Sequence, residues 1–324
     1  MEALPLTVPD TAMNVSSEKA FIQANTSPIT LQEIRQKHII PVFVKDNEPV
    51  ISHADFIETT IDVVQHLFQH ETILSPAIRI SHPIKGRIPE AKEKPASQLL
   101  ESEKTVYYER MAFIVEIPSI SDDISGNKLS LTIGGVKSHH QDNLSGKKGS
   151  DEHFKLFIGF QNKVCTNLCI WSDGFIADLK VKTSHQLMDG IIHLLVSYNA
   201  KQHIDNMRQL SNYYLSEYEF AQLVGRCRMY HYLPNEFKKK LPVFQFGDTQ
   251  LGILTRDYYK DEAFRQYEDG SIDLWRLYNL LTGVNKSSYI DTFLDRGANA
   301  FDFTNKLYQA VSNKEYNWFL HGRK

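Results

Sequence analysis

Cysteine is scarce in this chain: 3 residues among 324, an odd number and too few for a disulfide framework, so a reducing cytoplasm is the expected setting. Long apolar runs are also missing. The richest, Gly190 to Val196 (GIIHLLV), has the length of a core helix and falls well short of the roughly 18 residues a span requires, so no membrane partner is expected. The first residues (MEALPLTVPDTAMNVSS) carry neither a basic n-region nor an apolar h-region, and no signal peptide is expected. Heptads and solenoid-length repeats are absent, which leaves no dimer seam and no repeat architecture to read. A large charge of one sign is lacking too. The net charge of -3 rules out a uniformly basic nucleic-acid coat and leaves room for a local basic patch. What remains is 42% hydrophobic and 23% charged residues, enough apolar content for a real core.

The pattern along the chain predicts an α+β fold: antiparallel β-hairpins in the first half, roughly residues 75–180, packed with a mainly helical second half. Residues 1–30 are expected to form a flexible N-terminal arm, 31–182 a β-rich α+β region and 183–324 a helical region packed on it as one large unit. His38 to Val44 (HIIPVFV) reads as a short strand. Ser52 is a helix N-cap with Asp55 as capping-box partner, opening a helix through Phe56, Ile57, Ile61, Val64 and Leu67. Strands are predicted at Val106 to Ile117, Lys128 to Val136, Phe154 to Phe160 and Val164 to Trp171. Helices follow at Gln186 to Tyr198, after the Ser216–Glu219 capping box as far as Tyr230, near Asp261, and from Ile272 to Thr282. Ser287 to Val311 reads as one helix or as two divided at Gly297.

No complete catalytic motif is present. Gly134-Gly135-Val136-Lys137-Ser138 mimics the end of a phosphate loop without its first glycine, and neither Gly-x-Ser-x-Gly nor His-Glu-x-x-His occurs. Cys165 and Cys169 would lie about 13 Å apart on one strand face, too far to clamp one ion, and read as structural thiols. The polar stretch between two β-rich runs, Leu129 to Asp178, stands out. It holds His139-His140-Gln141-Asp142 and Asp151-Glu152-His153, imidazole and carboxylate of the kinds that bind zinc or manganese. Adjacent histidines on a strand point to opposite faces, however, so the pair does not make a shared site. Basic residues with aromatics nearby (Lys137, Lys147, Lys148 and Trp171; further on Arg226, Arg228, Tyr230 and Lys238 to Lys240) are the kind of set that tracks phosphates and stacks on bases. The Pro-rich stretch 77–105 reads as a solvated connection, or as a basic loop in which Arg79, Lys85 and Arg87 meet an anionic partner.

Three strings carry a resemblance: RISHPIKGRIPEAKEKPASQLLESEKTVYYERMAFIVEIP (Arg79 to Pro118), LTIGGVKSHHQDNL (Leu131 to Leu144) and DEHFKLFIGFQNKVCTNLCIWSDG (Asp151 to Gly174). Through them the chain resembles the bacterial family known as domain of unknown function 3871, over most of its length after the N-terminal arm. Ser138-His139, Val164-Cys165-Thr166-Asn167 and Trp275 to Asn279 are similar, more faintly, to the phage/plasmid-like domain of unknown function 932, from which His140 and Gln141 depart where that family favours Asp-Gly. Both likenesses imply a mobile-element or prophage context, with DNA maintenance or horizontal transfer rather than metabolism.

The resulting expectation is a non-catalytic nucleic-acid-binding protein, its partner single- or double-stranded DNA. Lys137, Lys147 and Lys148 would meet phosphates, His139, His140, Gln141, Asn143 and Asn167 would offer polar contacts, and Trp171 a stacking face. No metal and no cofactor is assigned in this reading. Two alternatives stand beside it. One is a metal-dependent nuclease-like enzyme using His139, His140, Asp142 and Glu152. The other is an interaction module acting on a host defence or replication protein.

Overall fold

A computed structural model describes residues 20–40, 50–143 and 150–321. The strands are β1 (Ser27–Ile29), β2 (Ala77–Ile80), β3 (Ile84–Arg87), β4 (Lys104–Tyr107), β5 (Arg110–Ile124), β6 (Asn127–Ser138), β7 (Glu152–Asn162), β8 (Leu168–Cys169), β9 (Phe175–Val181), β10 (Tyr214–Leu215) and β11 (Ile272–Asp273). The helices of the first half are α1 (Leu31–Lys37), α2 (His53–Leu67) and α3 (His139–Asn143). Those of the second half are α4 (Ser184–Ser197), α5 (Ala200–Leu210), α6 (Glu217–Tyr230), α7 (Asn235–Lys238), α8 (Asp248–Lys260), α9 (Leu274–Asn285), α10 (Ile290–Asn313) and α11 (Trp318–His321). The fold is α+β, with the antiparallel sheet in the first half and the larger helices in the second.

The main sheet runs β1-β2-β5-β6-β7-β8, with β9 also on β7, every pairing antiparallel. Its centre is the β5–β6 hairpin. Ser125 and Gly126 turn it with φ of 51° and 78°, the double positive φ of a type I′ turn, which matches the twist of the flanking strands. Both faces are covered. Along β5, Met111, Phe113, Val115 and Ile117 alternate with Ala112 and Ile114, and the two sets enter different clusters. On the first face lies α2, whose Phe56 meets Phe113 and Phe154 edge-on at 5.0 and 4.8 Å. On the second, α10 brings Ile290, Phe293, Leu294 and Ala298 against Ala112, Ile114 and Val136.

Gly134 and Gly135 serve this closeness. A Cβ at Gly134 would stand 2.1 Å from the Phe113 carbonyl oxygen, and one at Gly135 2.5 Å from the Phe56 ring. The false phosphate loop is thus the middle of a buried strand. Gly297 does not divide α10. It sits inside one helix of 24 residues, where a Cβ would come within 3.0 Å of Ile170. Buried asparagines tie the two halves: Asn162 Nδ2 donates to Asn279 Oδ1 (3.0 Å), and Asn167 Nδ2 to the Asn279 carbonyl (2.8 Å).

Several sequence expectations need correction. The arm is not loose at its end, because Phe21 and Ile22 are buried and β1 pairs with β2. Residues 1–19 lie outside the described residues. Of the strand expected at His38 to Val44, the described part shows only an isolated bridge from His38 to Val106. His38 caps α1, and the residues after 40 lie outside the described set until 50. The strand expected at Val106 to Ile117 is broken at Tyr108-Glu109. The strand at Val164 to Trp171 shrinks to two residues, because Thr166 takes φ of 59°. Asp261 ends a helix instead of starting one. Arg79 is not offered to an anionic partner: its Nη2 donates to the Thr26 carbonyl (2.8 Å) and its Nε to Thr26 Oγ1 (3.0 Å). Among the described residues, no helix is long and apolar enough to cross a membrane.

Candidate metal centre

Three histidines meet where α1, α2 and β6 converge. Local sequence explains each placement. His38 is the residue after α1, its backbone extended (φ -79°, ψ 114°) and its N–H still donating to the Ile34 carbonyl. His53 opens α2 directly after the Ser52 cap, whose reciprocal bonds with Asp55 fix the first turn. Phe56, one turn on, sits over Gly135, and this carries His53 to the far end of β6. His139 leaves β6 there, its N–H donating to the Glu109 carbonyl at 3.0 Å.

The break between β4 and β5 supplies the orienting groups. Tyr108 spends its backbone on imidazoles instead of a strand partner. Its N–H donates to His38 Nδ1 (3.1 Å), and its carbonyl accepts from His53 Nε2 (2.8 Å). The rings lie face to face, His38 and His53 at 4.7 Å, His53 and His139 at 4.5 Å, with the Tyr107 ring 5.8 Å from His139. One nitrogen from each histidine lies within 4.8 Å of the others. Four ring nitrogens (His38 Nε2, His53 Nδ1, and both of His139) are buried with no hydrogen-bond partner. An unsatisfied buried polar atom costs about 1–3 kcal/mol, so four in one place ask for a guest.

Burial sets the protonation. It lowers His38 to about 4, the neighbouring His139 adding to the effect, and holds His53 well below its ordinary value. His139 is also lowered by burial, against the pull of Asp142. All three are neutral near pH 7, the form that ligates a metal.

Behind His139 stands a buried ionic network. The Lys137 ammonium bonds Asp142 Oδ2 (2.8 Å) and Glu152 Oε2 (2.7 Å) and lies 4.0 Å over the Phe154 ring. Asp142 also accepts from the His153 N–H (2.8 Å), and Glu152 from the Ile51 N–H (3.1 Å), just before the α2 cap. Asp142 Oδ2 is 3.6 Å from His139 Nδ1, too long for a hydrogen bond and close enough to favour a proton on that nitrogen. Burial raises the Asp142 carboxyl, but His139 and Lys137 outweigh it and leave it below its usual value.

The residues expected to touch nucleic acid do not form one surface. Lys137, His139 and Asn167 are buried, which withdraws them from contact in this conformation. Trp171 is half-buried, its ring 5.7 Å from His203 and 6.2 Å from Phe301. His140 is exposed beside Glu109, and Gln141 is half-buried. The side chain of Asn143, and Lys147 and Lys148 entirely, lie outside the described residues. Asn167 belongs with Asn162 at one end of β7, and Lys137 pairs with Phe154 near the other, about 26 Å away at strand rise. The alternative metal set does not converge either. His140 points away from His139, and Asp142 and Glu152 are engaged by Lys137.

His38 and His53 were missed by sequence reasoning. They stand 101 and 86 residues before His139, joined by no motif, and only the convergence of α1, α2 and β6 brings them together. The thiols carry no activation: burial pushes Cys165 up to about 11 and raises Cys169 and Cys227 as well.

A family model described as "Domain of unknown function, B. Theta Gene description (DUF3871)" matches residues 6–320. The chain belongs to this family. The match spans the histidine centre, the ionic network and the helical half together. No curated protein and no solved structure matches the chain.

Proposed function

We propose that this protein binds one divalent transition-metal ion at the His38–His53–His139 centre. The observation that carries the reading is the set of four buried ring nitrogens without partners, on three neutral imidazoles gathered from three separate elements. Imidazole nitrogen suits zinc, copper, nickel and iron(II), whereas calcium and magnesium prefer oxygen ligands. Asp142 beside His139 and the Tyr108 carbonyl on His53 act as the outer partners that usually orient ligating histidines. A zinc–nitrogen bond is about 2.0–2.1 Å, so those imidazoles of the cluster that ligate must turn and close in from its 4.8 Å spread. The second side-chain torsion of histidine is broad enough to allow it.

The test is metal content after equilibration with zinc and removal of loose ions. About one ion per chain is expected, with most of it lost in His53→Ala and in His139→Ala. An unchanged content in both variants, or no retention by the parent chain, removes this centre from consideration. The same preparations, run over a salt series with DNA, test the nucleic-acid expectation independently, because phosphate contact shows as a salt slope.

A further inference from the structure

The hydrogen bonds around the three imidazoles are unequal, and this divides their roles. A neutral imidazole has one N–H and one lone pair. His53 donates from Nε2 to the Tyr108 carbonyl, so its lone pair is on Nδ1. His139 faces the Asp142 carboxylate with Nδ1 at 3.6 Å, which favours the tautomer with its proton there and its lone pair on Nε2. His38 is the opposite case. Its Nδ1 accepts from the Tyr108 N–H at 3.1 Å, so its lone pair is already engaged and its proton sits on the unpartnered Nε2. To ligate through Nε2 it would have to become an imidazolate. To ligate through Nδ1 it would have to surrender the Tyr108 amide, leaving a backbone donor unmet at about 1–3 kcal/mol.

Resting on the metal-binding reading, we infer that His53 Nδ1 and His139 Nε2 are the ligating atoms, and that His38 is not a ligand but a hydrogen-bond donor to a small anionic ligand on the metal. The centre is then of the open kind. Two imidazoles do not complete a shell of four, and the N–H of His38 favours an anion with a free lone pair, such as hydroxide or azide, on the adjoining position. His38 is the least enclosed of the three, half-buried where His53 and His139 are fully buried, but its Nε2 is itself buried, so the anion it meets is held out of bulk water. His38 is here a positioning residue, acting on whatever the metal carries.

Cobalt(II) reports both events, since its visible spectrum registers binding of the ion and, separately, of azide to the ion. In the parent chain, cobalt followed by azide is expected to give two successive spectral changes. His38→Leu should keep cobalt affinity within about threefold and weaken azide by about tenfold, the usual scale of one charge-assisted hydrogen bond. His38→Gln, whose amide both accepts and donates, should restore azide binding. His139→Ala should lose cobalt itself. If His38→Leu loses cobalt as severely as His139→Ala while its thermal unfolding stays cooperative, His38 is a ligand and the inference falls. Cobalt binding with no azide response in the parent chain overturns it as well. Failure of the parent chain to bind cobalt at all removes the metal reading first and this inference with it.

Discussion

His203 shows what one buried titratable side chain contributes. It is enclosed by Trp171, Phe160 and Phe301, and its Nδ1 shares a hydrogen bond with the Tyr198 hydroxyl at 2.6 Å. Burial lowers it to about 3 from the ordinary 6.5. Below pH 6.5 the unfolded chain takes up a proton that the folded chain refuses. Its contribution is complete above pH 6.5 and is lost as pH falls towards 3, at up to about 1.4 kcal/mol per pH unit. His203→Phe removes that proton from the balance. Urea midpoints at pH 7.5 and pH 5 should converge more in the variant than in the parent chain, even though the unpartnered Tyr198 hydroxyl lowers both values. Equal pH slopes would refute this. Lys137 marks the limit of reading single residues from sequence. A lysine at a strand end beside a polar loop reads as exposed. Strict alternation with Ile133 and Gly135 puts it on the α2 face, but the carboxylates that make burial tolerable come from the short helix after the strand (Asp142) and from the start of β7 (Glu152).

Among the elements, those with strong local signals were legible and those made by contact were not. The Ser52–Asp55 and Ser216–Glu219 boxes cap helices as their sequences require. The apolar alternation of β6 and β7 locates both strands within two residues at each end. By contrast, β9 has weak alternation and pairs where β7 offers an edge, and the interruption after Tyr107 is marked only by the charged pair Glu109-Arg110 inside an otherwise apolar and aromatic run. That interruption matters most for the site, since it frees the Tyr108 backbone for His38 and His53. The seating of α2 on β6 is equally exacting. Gly135→Ala would drive a methyl group to 2.5 Å from Phe56 and 2.6 Å from the Lys155 carbonyl. Overpacking of this kind costs roughly 1–3 kcal/mol and here lifts α2, with His53, from the sheet. A lowered denaturation midpoint together with weakened metal retention is expected, and an Ala variant as stable as the parent chain would show that α2 does not rest on this glycine.

At the scale of the molecule, the α+β class and the division into a β-rich first half and a helical second half follow from the order of patterns along the chain. The interleaving does not. The helix at 290–313 returns to cover the face of the sheet opposite α2, and Lys155 reaches it to donate to the Asp291 carbonyl (2.7 Å). Such contacts over more than a hundred residues leave no local trace, and the histidine centre belongs with them.

The three-residue strand β1 has a consequence out of proportion to its size. It occupies the outer backbone of β2, register Ser27↔Ile80 to Ile29↔Ile78, and the Arg79 bonds to Thr26 hold it there. Without it, the longer backbone of Ala77 to Ile80 becomes the margin of the sheet and presents open amides and carbonyls, a template on which a second molecule can add a strand. A chain beginning after residue 30 should therefore self-associate with rising concentration in sedimentation, while the full chain does not, and a truncated chain of unchanged mass across the same range would contradict this. The first strand of the sheet is then a guard against polymerisation: its task is to deny the neighbouring molecule a place to begin.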